Sequence, residues 1–211
     1  MKQKAMTGLF GGILAIAPGH AEIPPGLAGY THYLQLDPAN PADFSIVGTV
    51  GSWSWEDNRL GDGVFWRHQA DWIAFNLASP ARFQFEVERH AEGDNSLLFP
   101  SFTLYSGFND TTDGSHFARN TSDVQWVTDG TPSNRLTYLM HHNNSTEGSL
   151  RDEMLLPAGD YTILLGGNAT SEASAVNVNY GATLTASPIP EPSTSLLGLF
   201  AALAFLVRRK R

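Results

Sequence analysis

Residues 82–89, RFQFEVER, alternate apolar and polar side chains without interruption. In an extended strand successive side chains point to opposite faces, so Phe83, Phe85 and Val87 share one face and the polar residues share the other. An amphipathic helix would need apolar residues three and four positions apart, and this segment lacks that spacing. The segment therefore predicts a β-strand that packs one face on a core and presents the other to water.

The same alternation recurs through the middle of the chain. Tyr161, Ile163 and Leu165 are alternate residues and would share one face of a strand, and residues 175–186 repeat the pattern. Runs rich in Gly, Pro, Asn and Asp separate the candidate strands, which are residues 30–36, 44–50, 72–77, 82–89, 102–105, 124–127, 136–140, 160–165 and 175–186. About nine short strands with such turns and no amphipathic helix predict an all-β fold, a single antiparallel β-sandwich of jelly-roll-like topology.

The chain has no cysteine, so a disulfide cannot support the sandwich and its core must do so alone. Residues 22–187 contain no long linker and are predicted to form one domain. The formal net charge of the whole chain is −8, and the domain is more acidic because every lysine and three arginines lie in the end segments. An acidic surface repels nucleic acids and anionic lipids, so we expect no nucleic-acid partner.

Residues 1–21 have the layout of a secretory signal peptide. Two lysines open the segment, residues 8–17 form a short apolar run, and Gly19 and Ala21 are small residues placed before a cleavage site. We therefore predict that the protein is exported and that the signal peptide is removed after Ala21.

The other end of the chain is apolar and then strongly basic. Residues 194–207 would form a helix of about 21 Å, which is shorter than the ~30 Å hydrocarbon core of a bilayer. Residues 208–211 are all cationic, and the positive-inside preference keeps such a cluster in the cytoplasm. These features predict a short transmembrane helix that occupies the inner membrane only transiently.

Residues 188–211 also carry a Pro-Glu-Pro motif, followed by a Ser/Thr-containing spacer, the apolar helix and the basic end. This order of features resembles the PEP-CTERM sorting signal of Gram-negative bacteria. The resemblance implies processing by exosortase, an integral-membrane protease or transpeptidase, and delivery from the inner membrane to the cell surface or extracellular matrix. The sorting-motif residues are Pro190, Glu191, Pro192, Arg208, Arg209, Lys210 and Arg211.

Two segments of the domain resemble the prepeptidase C-terminal type of bacterial β-sandwich. The early segment carries Asp71, Trp72, Phe75 and Leu77, and the late one carries Leu156, Ala158, Gly159, Tyr161, Ile163 and Leu165. Ala158 and Gly159 suit a tight turn, and Tyr161 is expected to bury its ring while its hydroxyl finds a hydrogen-bond partner. The resemblance implies an architecture; such domains are commonly non-catalytic, and some bind calcium or insoluble polymers.

A catalytic constellation is hard to find in this sequence. Glu86 and Glu88 lie two residues apart on one strand, about 6.6 Å from each other, which matches the spacing of an inverting glycosidase pair. They nevertheless share the polar face of the strand with Arg82. The G-x-S-x-G and H-E-x-x-H motifs are both absent, so we expect that the protein is not an enzyme.

Oxygen-rich turns offer candidate calcium loops. Asn109 and Asp113 occupy the first and fifth positions of a segment similar to an EF-hand loop, but Asn120 stands where the loop needs a bidentate carboxylate. Asp57 and Asp62 belong to a second turn of this kind. Calcium is therefore a possible ligand of these loops, and the alternative is that they are ordinary turns.

Two further pairs of residues have a structural and a functional interpretation. Trp53 and Trp55 are two apart and share a face, so they form either a platform for sugar rings or part of the core, and we favour the core. His141 and His142 are adjacent, and neighbouring strand residues point to opposite faces, so we do not expect them to share a zinc or copper ion.

We therefore expect an exported, non-catalytic protein of the cell surface, extracellular matrix or biofilm, with exopolysaccharide or calcium as its ligand. The alternative is a secreted hydrolase that acts on a polysaccharide through an unrecognised pair of carboxylates. A concave groove that brings two carboxylates together would favour the hydrolase, and a smooth convex sandwich would favour the binding protein.

Overall fold

The computed structural model describes residues 23–24, 27, 29–55, 69–90, 97–108, 116–117, 120–128, 131–169 and 176–190. This part of the chain contains strands and turns but no helix. The strands are β1 (His32–Leu36), β2 (Asp43–Gly51), β3 (Asp71–Leu77), β4 (Ala81–Arg89), β5 (Pro100–Ser106), β6 (His116–Phe117), β7 (Val124–Thr128), β8 (Thr131–His142), β9 (Ser149–Leu156), β10 (Gly159–Gly167) and β11 (Asn177–Pro188).

The strands form two sheets. The larger sheet has the order β1-β3-β10-β5-β8-β7-β6, and the smaller sheet has the order β2-β11-β4-β9. β1 pairs parallel with β3, and all the other neighbours are antiparallel. From β2 to β5, and again from β8 to β11, each strand lies in the sheet opposite to that of the strand before it. This alternation is the jelly-roll arrangement, so the predicted all-β sandwich is confirmed.

The core lies between the two sheets and contains the alternating residues predicted from the sequence. Phe83, Phe85 and Val87 of β4 are fully buried, as are Ile163 and Leu165 of β10. Each buried side chain of this size contributes about 1.5–3 kcal/mol through removal of apolar surface from water. The registers of β4 and β10 predicted from the sequence are therefore confirmed.

The turn between β9 and β10 also follows the prediction. Gly159 has a φ of 154°, a conformation that favours glycine. The ring of Tyr161 is 2% exposed, and its hydroxyl donates a hydrogen bond of 2.8 Å to the carbonyl oxygen of Pro157. The side chain thus fixes the turn that precedes it.

β9 was not predicted, because the sequence SLRDEMLL breaks a simple apolar alternation. Leu150 and Leu156 are buried, but Asp152 shares their face, and Leu155 on the opposite face is 62% exposed. Asp152 is accommodated at the rim of the sandwich because its Oδ2 lies 2.5 Å from Nδ1 of His142 on β8. A polar pair across the sheets therefore replaces an apolar contact.

The predicted signal peptide, residues 1–21, and the predicted apolar helix, residues 194–207 of the sorting signal at 188–211, lie outside the described residues. Within the part that the structure describes, no helix is long and apolar enough to cross a membrane. Of the sorting motif only Pro190 is described, and it is exposed just after the end of β11. The signal peptide and the C-terminal helix therefore remain predictions.

Candidate functional site

The outer faces of the two sheets differ in how much of them is covered. On the larger sheet, the indole of the buried Trp55 donates a 3.2 Å hydrogen bond to Oγ1 of Thr103 on β5. Tyr30 lies on the same face, where its hydroxyl is 2.7 Å from Oγ1 of Thr162 on β10. Chain segments outside the sandwich therefore pack over this sheet at β5 and β10.

The outer face of the smaller sheet is open. It presents the alternate residues of β2, β11 and β4 that point away from the core, and these mostly polar side chains are exposed or half-buried. They enclose a groove of about 410 Å³, hereafter the groove, whose polar lining includes Asp43, Ser45, Gln84, Glu86, Glu88, His90, Thr183 and Thr185. The groove is the concave surface that the smaller sheet offers to a ligand.

Gly181 of β11 creates the depth of the groove. It lies opposite Val47 of β2 and Glu88 of β4 in the strand register. A Cβ atom at this position would meet only Cδ2 of His90 at 3.9 Å and Cγ of Glu88 at 4.0 Å, which is ordinary contact. The missing side chain thus leaves a gap between two rows of side chains and brings the backbone of β11 within reach of a ligand.

A second depression of about 290 Å³ continues the groove toward the far end of β2. It shares Val47 and His90 with the groove, and it adds Thr49 and Asn179, which are joined by a hydrogen bond of 2.8 Å. From Asp43 to Thr49 the strand rises by about 20 Å at ~3.3 Å per residue. The combined depression therefore suits an elongated ligand that lies along the strands.

Hydrogen bonds fix the side chains at the edge of the groove. Oγ1 of Thr185 donates to Oδ1 of Asp43 at 2.7 Å, and Nη2 of Arg151 donates to Oε1 of Gln84 at 2.6 Å. By contrast, the carboxylates of Glu86 and Glu88 make no hydrogen bond or ion pair within the described part of the chain. These two groups are available to accept hydrogen bonds from a ligand or to balance a positive charge.

The groove brings together the glutamates that the sequence analysis considered as a glycosidase pair. Their presence in a concave surface is the feature that would favour a hydrolase. Glu88 is exposed and Glu86 only half-buried, however, whereas the general acid of a glycosidase is kept protonated by an apolar site. The arrangement therefore suits hydrogen bonding and charge recognition better than proton transfer.

A buried polar pair lies beneath the groove and joins the two sheets. The hydroxyl of Tyr180 on β11 donates a hydrogen bond of 2.8 Å to Oδ2 of Asp71 on β3. Burial raises the pKa of Asp71, and the hydrogen bond from Tyr180 opposes this shift. Gly48 makes room for the pair, because a Cβ there would lie 2.6 Å from both oxygens. Asp71 therefore has a structural role.

The predicted tryptophan pair lies in the interior. Trp53 is 9% exposed and Trp55 1% exposed, so neither indole presents the open face that a sugar platform requires. Trp53 forms a bridge with Asn168 after β10, and the side-chain amide of Asn120 donates to the backbone carbonyl of Trp55. Both indoles are buried, as the core interpretation expects, although Trp55 packs over the outer face of the larger sheet and not between the sheets.

His141 and His142 point to opposite faces of β8, as predicted. His142 contacts Asp152 between the sheets, whereas Nδ1 of His141 lies 2.7 Å from the hydroxyl of Tyr138. Tyr138 and His141 share a face because a bulge at Leu139 shifts the register. Burial, and secondarily the neighbouring His142, lower the pKa of His141. The two imidazoles cannot bind one ion.

Metal ligands do not converge in the described residues, where no group of three His, Asp or Glu side chains is placed to hold an ion. The candidate calcium residues Asp57, Asp62, Asn109 and Asp113 lie outside the described residues. Asn120 of the EF-hand-like segment is buried, and its backbone carbonyl accepts a 2.8 Å hydrogen bond from Thr103. The calcium loops therefore remain a prediction.

No protein-family model and no curated protein matches the chain. Similar solved structures include CorA, a surface-associated copper-binding protein important in copper acquisition by Methylomicrobium album BG8. It is 15% identical, the match covers 74% of this chain and 98% of CorA, and the TM-score is 0.51. At this identity the likeness shows a shared fold.

Two further similar structures have lower TM-scores. The pre-peptidase C-terminal domain of a Bacillus anthracis collagenase is 10% identical, with coverage of 72% of this chain and 94% of the domain and a TM-score of 0.36. MopE, a secreted protein of Methylococcus capsulatus that binds copper, is 14% identical, with coverage of 69% and 84% and a TM-score of 0.42.

Proposed function

We propose that the protein is an exported, non-catalytic component of the cell surface or extracellular matrix that binds polysaccharide in the groove. The open, polar outer face of the smaller sheet is the observation that carries this proposal. Hydroxyls of Ser45, Thr183 and Thr185 and the amide of Gln84 match the hydroxyl groups of a sugar polymer. Elongation of the groove along the strands suits a linear chain.

Export is supported by the two end segments of the sequence. The signal peptide takes the chain across the inner membrane, and the apolar segment near the C-terminus holds the precursor there. An exosortase-type membrane protease then reads Pro190, Glu191 and Pro192, which follow β11 in the sequence. The domain is thereby delivered to the cell surface with its groove facing the polymers of that compartment.

Carboxyl footprinting tests binding in the groove without any mutation. The full chain is treated with a carbodiimide and a small amine, with and without each of a panel of polysaccharides, and labelling is read by mass spectrometry. We expect a bound polymer to lower the labelling of Glu86 and Glu88 and to leave the exposed Glu147, in the loop before β9, unchanged. Labelling of the two groove glutamates that no polymer alters would contradict the proposal.

A second candidate is a secreted hydrolase, because Glu86, Glu88 and His90 line one groove. Such an enzyme would release reducing ends from a polysaccharide, and Glu88→Gln or Glu86→Gln would lower the rate by at least about a hundredfold, as expected for loss of a general acid or base. A binding protein releases none. Reducing-end assays of the wild type and both variants therefore separate the two functions.

Calcium binding is a second part of the proposal, and it is tested separately. The four predicted ligand residues belong to loops outside the described residues, and the copper bound by similar structures is a property of those proteins. A cation that binds only the folded chain raises its melting temperature by mass action. A higher melting temperature in millimolar calcium than in chelator would support a calcium site, and an unchanged one would remove it.

A further inference from the structure

The charge of the groove narrows the class of polysaccharide, provided that the proposed function is correct. The lining of the groove and of the depression that continues it contains the imidazole of His90 and no lysine or arginine, and the groove adds three carboxylates, Asp43, Glu86 and Glu88. Asp43 lies on β2 and the glutamates on β4, so negative charge borders both sides of β11. A ligand in the groove therefore meets carboxylates on both sides of β11, whereas the depression that continues the groove adds none.

The arginines of the smaller sheet lie beside the groove and have other partners. Nη1 of Arg82 is 2.5 Å from Oε1 of Glu153, and Arg151 donates to Gln84. Arg151 pairs with Glu86 in the strand register, but no ion pair between their side chains is formed. Glu86 and Glu88 thus form no ion pair with a protein cation in the described part of the chain.

We propose that the groove binds an amine-bearing polysaccharide, a linear hexosamine polymer with free ammonium groups. The ammonium groups pair with Glu86, Glu88 and Asp43, and the ring hydroxyls bond to Ser45 and to the threonines of β11. A neutral polymer would offer the carboxylates hydroxyl donors but no opposite charge, and an anionic polymer would be repelled. Charge complementarity therefore selects a cationic sugar chain.

Gly181 contributes to this selection by shape. The groove is wide and shallow, since its depth comes from one absent side chain, so it accommodates a flat ring better than it encloses a long basic side chain. Its position between Val47 and Glu88 places a sugar ring against the backbone of β11 with an ammonium group beside the carboxylate. Filling this gap removes the binding surface and leaves the core unchanged.

Calorimetry on the full chain tests the inference with three oligosaccharides of equal length at a mildly acidic pH. These are a glucosamine oligomer, its N-acetylated counterpart, which lacks the charge, and a uronate oligomer. We expect measurable binding of the glucosamine oligomer, at least about tenfold weaker binding of the N-acetylated form, and none of the uronate. Binding should also weaken with added salt.

Three variants locate the site. Glu86→Gln with Glu88→Gln is expected to weaken binding of the glucosamine oligomer at least about tenfold, because two charge-assisted contacts are lost. Gly181→Val should abolish binding while the melting temperature stays at or above that of the wild type, since a β-branched residue suits a strand. Glu147→Gln is the control for net charge and should bind as the wild type does.

Each outcome decides between the two proposals. Equal binding of the N-acetylated oligomer, unaffected by the glutamine substitutions but lost in Gly181→Val, would overturn the cationic specificity and keep the polysaccharide groove. Binding that survives Gly181→Val would overturn both, whereas no binding of any of the three oligomers would overturn the cationic specificity and leave the polysaccharide groove to the footprinting panel. Equally tight binding of an oligo-lysine peptide at the same groove would show recognition of charge alone and overturn the choice of a sugar polymer.

Discussion

Replacement of Tyr180 by phenylalanine tests the buried polar pair that connects the two sheets. The hydroxyl of Tyr180 is 2.8 Å from Oδ2 of Asp71, and the two side chains are 0% and 9% exposed, respectively. The substitution keeps the ring and leaves a buried carboxyl group without this donor. A hydrogen bond to a charged group is worth about 1.5–3 kcal/mol, so we expect the free energy of unfolding at neutral pH to fall by that amount.

The loss should depend on pH in a defined direction. Burial raises the pKa of Asp71 above its ordinary value of 3.8, so the folded state binds the proton more readily than the unfolded state. The contribution of Asp71 to stability is therefore greatest below that value and declines as the pH rises through the folded pKa. Removing the Tyr180 hydroxyl raises the folded pKa further, so Tyr180→Phe should cost more at pH 7 than at pH 4.

Urea unfolding of the full chain at both pH values measures these effects. Tyr180→Phe made in the background of Asp71→Asn is the matched control, because the charge that the hydroxyl stabilises is then absent and the cost should shrink. A loss below about 0.5 kcal/mol at pH 7 would refute the reasoning, because ordinary surface substitutions cause losses of that size. So would an equal loss at the two pH values.

Three other predictions concern the glycines and the sorting signal. Gly48→Ala should destabilise the fold and Gly181→Ala should not, because the new Cβ would lie 2.6 Å from Asp71 and Tyr180 in the first case and in ordinary contact in the second; chemical denaturation of both variants checks this contrast. A strand alanine replacing Gly181 should even stabilise the fold by about 0.5–1 kcal/mol, and a loss of that size instead would contradict the open gap. Glu191→Ala should leave export intact and block processing, so that full-length precursor accumulates in the inner membrane fraction on immunoblots. Normal processing of this variant would show that the protease does not recognise Glu191.

The strands that the sequence predicts well are those whose apolar face is continuous. β4 and β10 alternate without interruption, and their registers follow from a period of two. β9 was missed because Asp152 occupies an inward position, which is tolerable only because His142 lies across from it. His142 and Asp152 lie on strands of different sheets, and their contact depends on how the two sheets face each other. Local pattern alone could not reveal it.

The groove could be predicted only in part. Alternation places Glu86 and Glu88 on the outer face, and a glycine inside a strand such as Gly181 signals a close approach of backbone. The pairing of β11 with β2 on one side and with β4 on the other was needed to bring Asp43 and Thr183 beside them. The burial of Trp53 and Trp55 was equally beyond local pattern, because their partners Asn168 and Asn120 are remote in sequence.

Mass spectrometry of the intact protein recovered from the surface of a producing Gram-negative cell tests the central claim most directly. An exported and sorted domain is expected to begin at Glu22 and to lack Arg211, because both end segments are removed before delivery. Protein that reaches the surface with Arg211 still present would make the C-terminal segment a permanent anchor. Protein confined to the cytoplasm with Met1 and Arg211 intact would contradict the account of an exported surface protein.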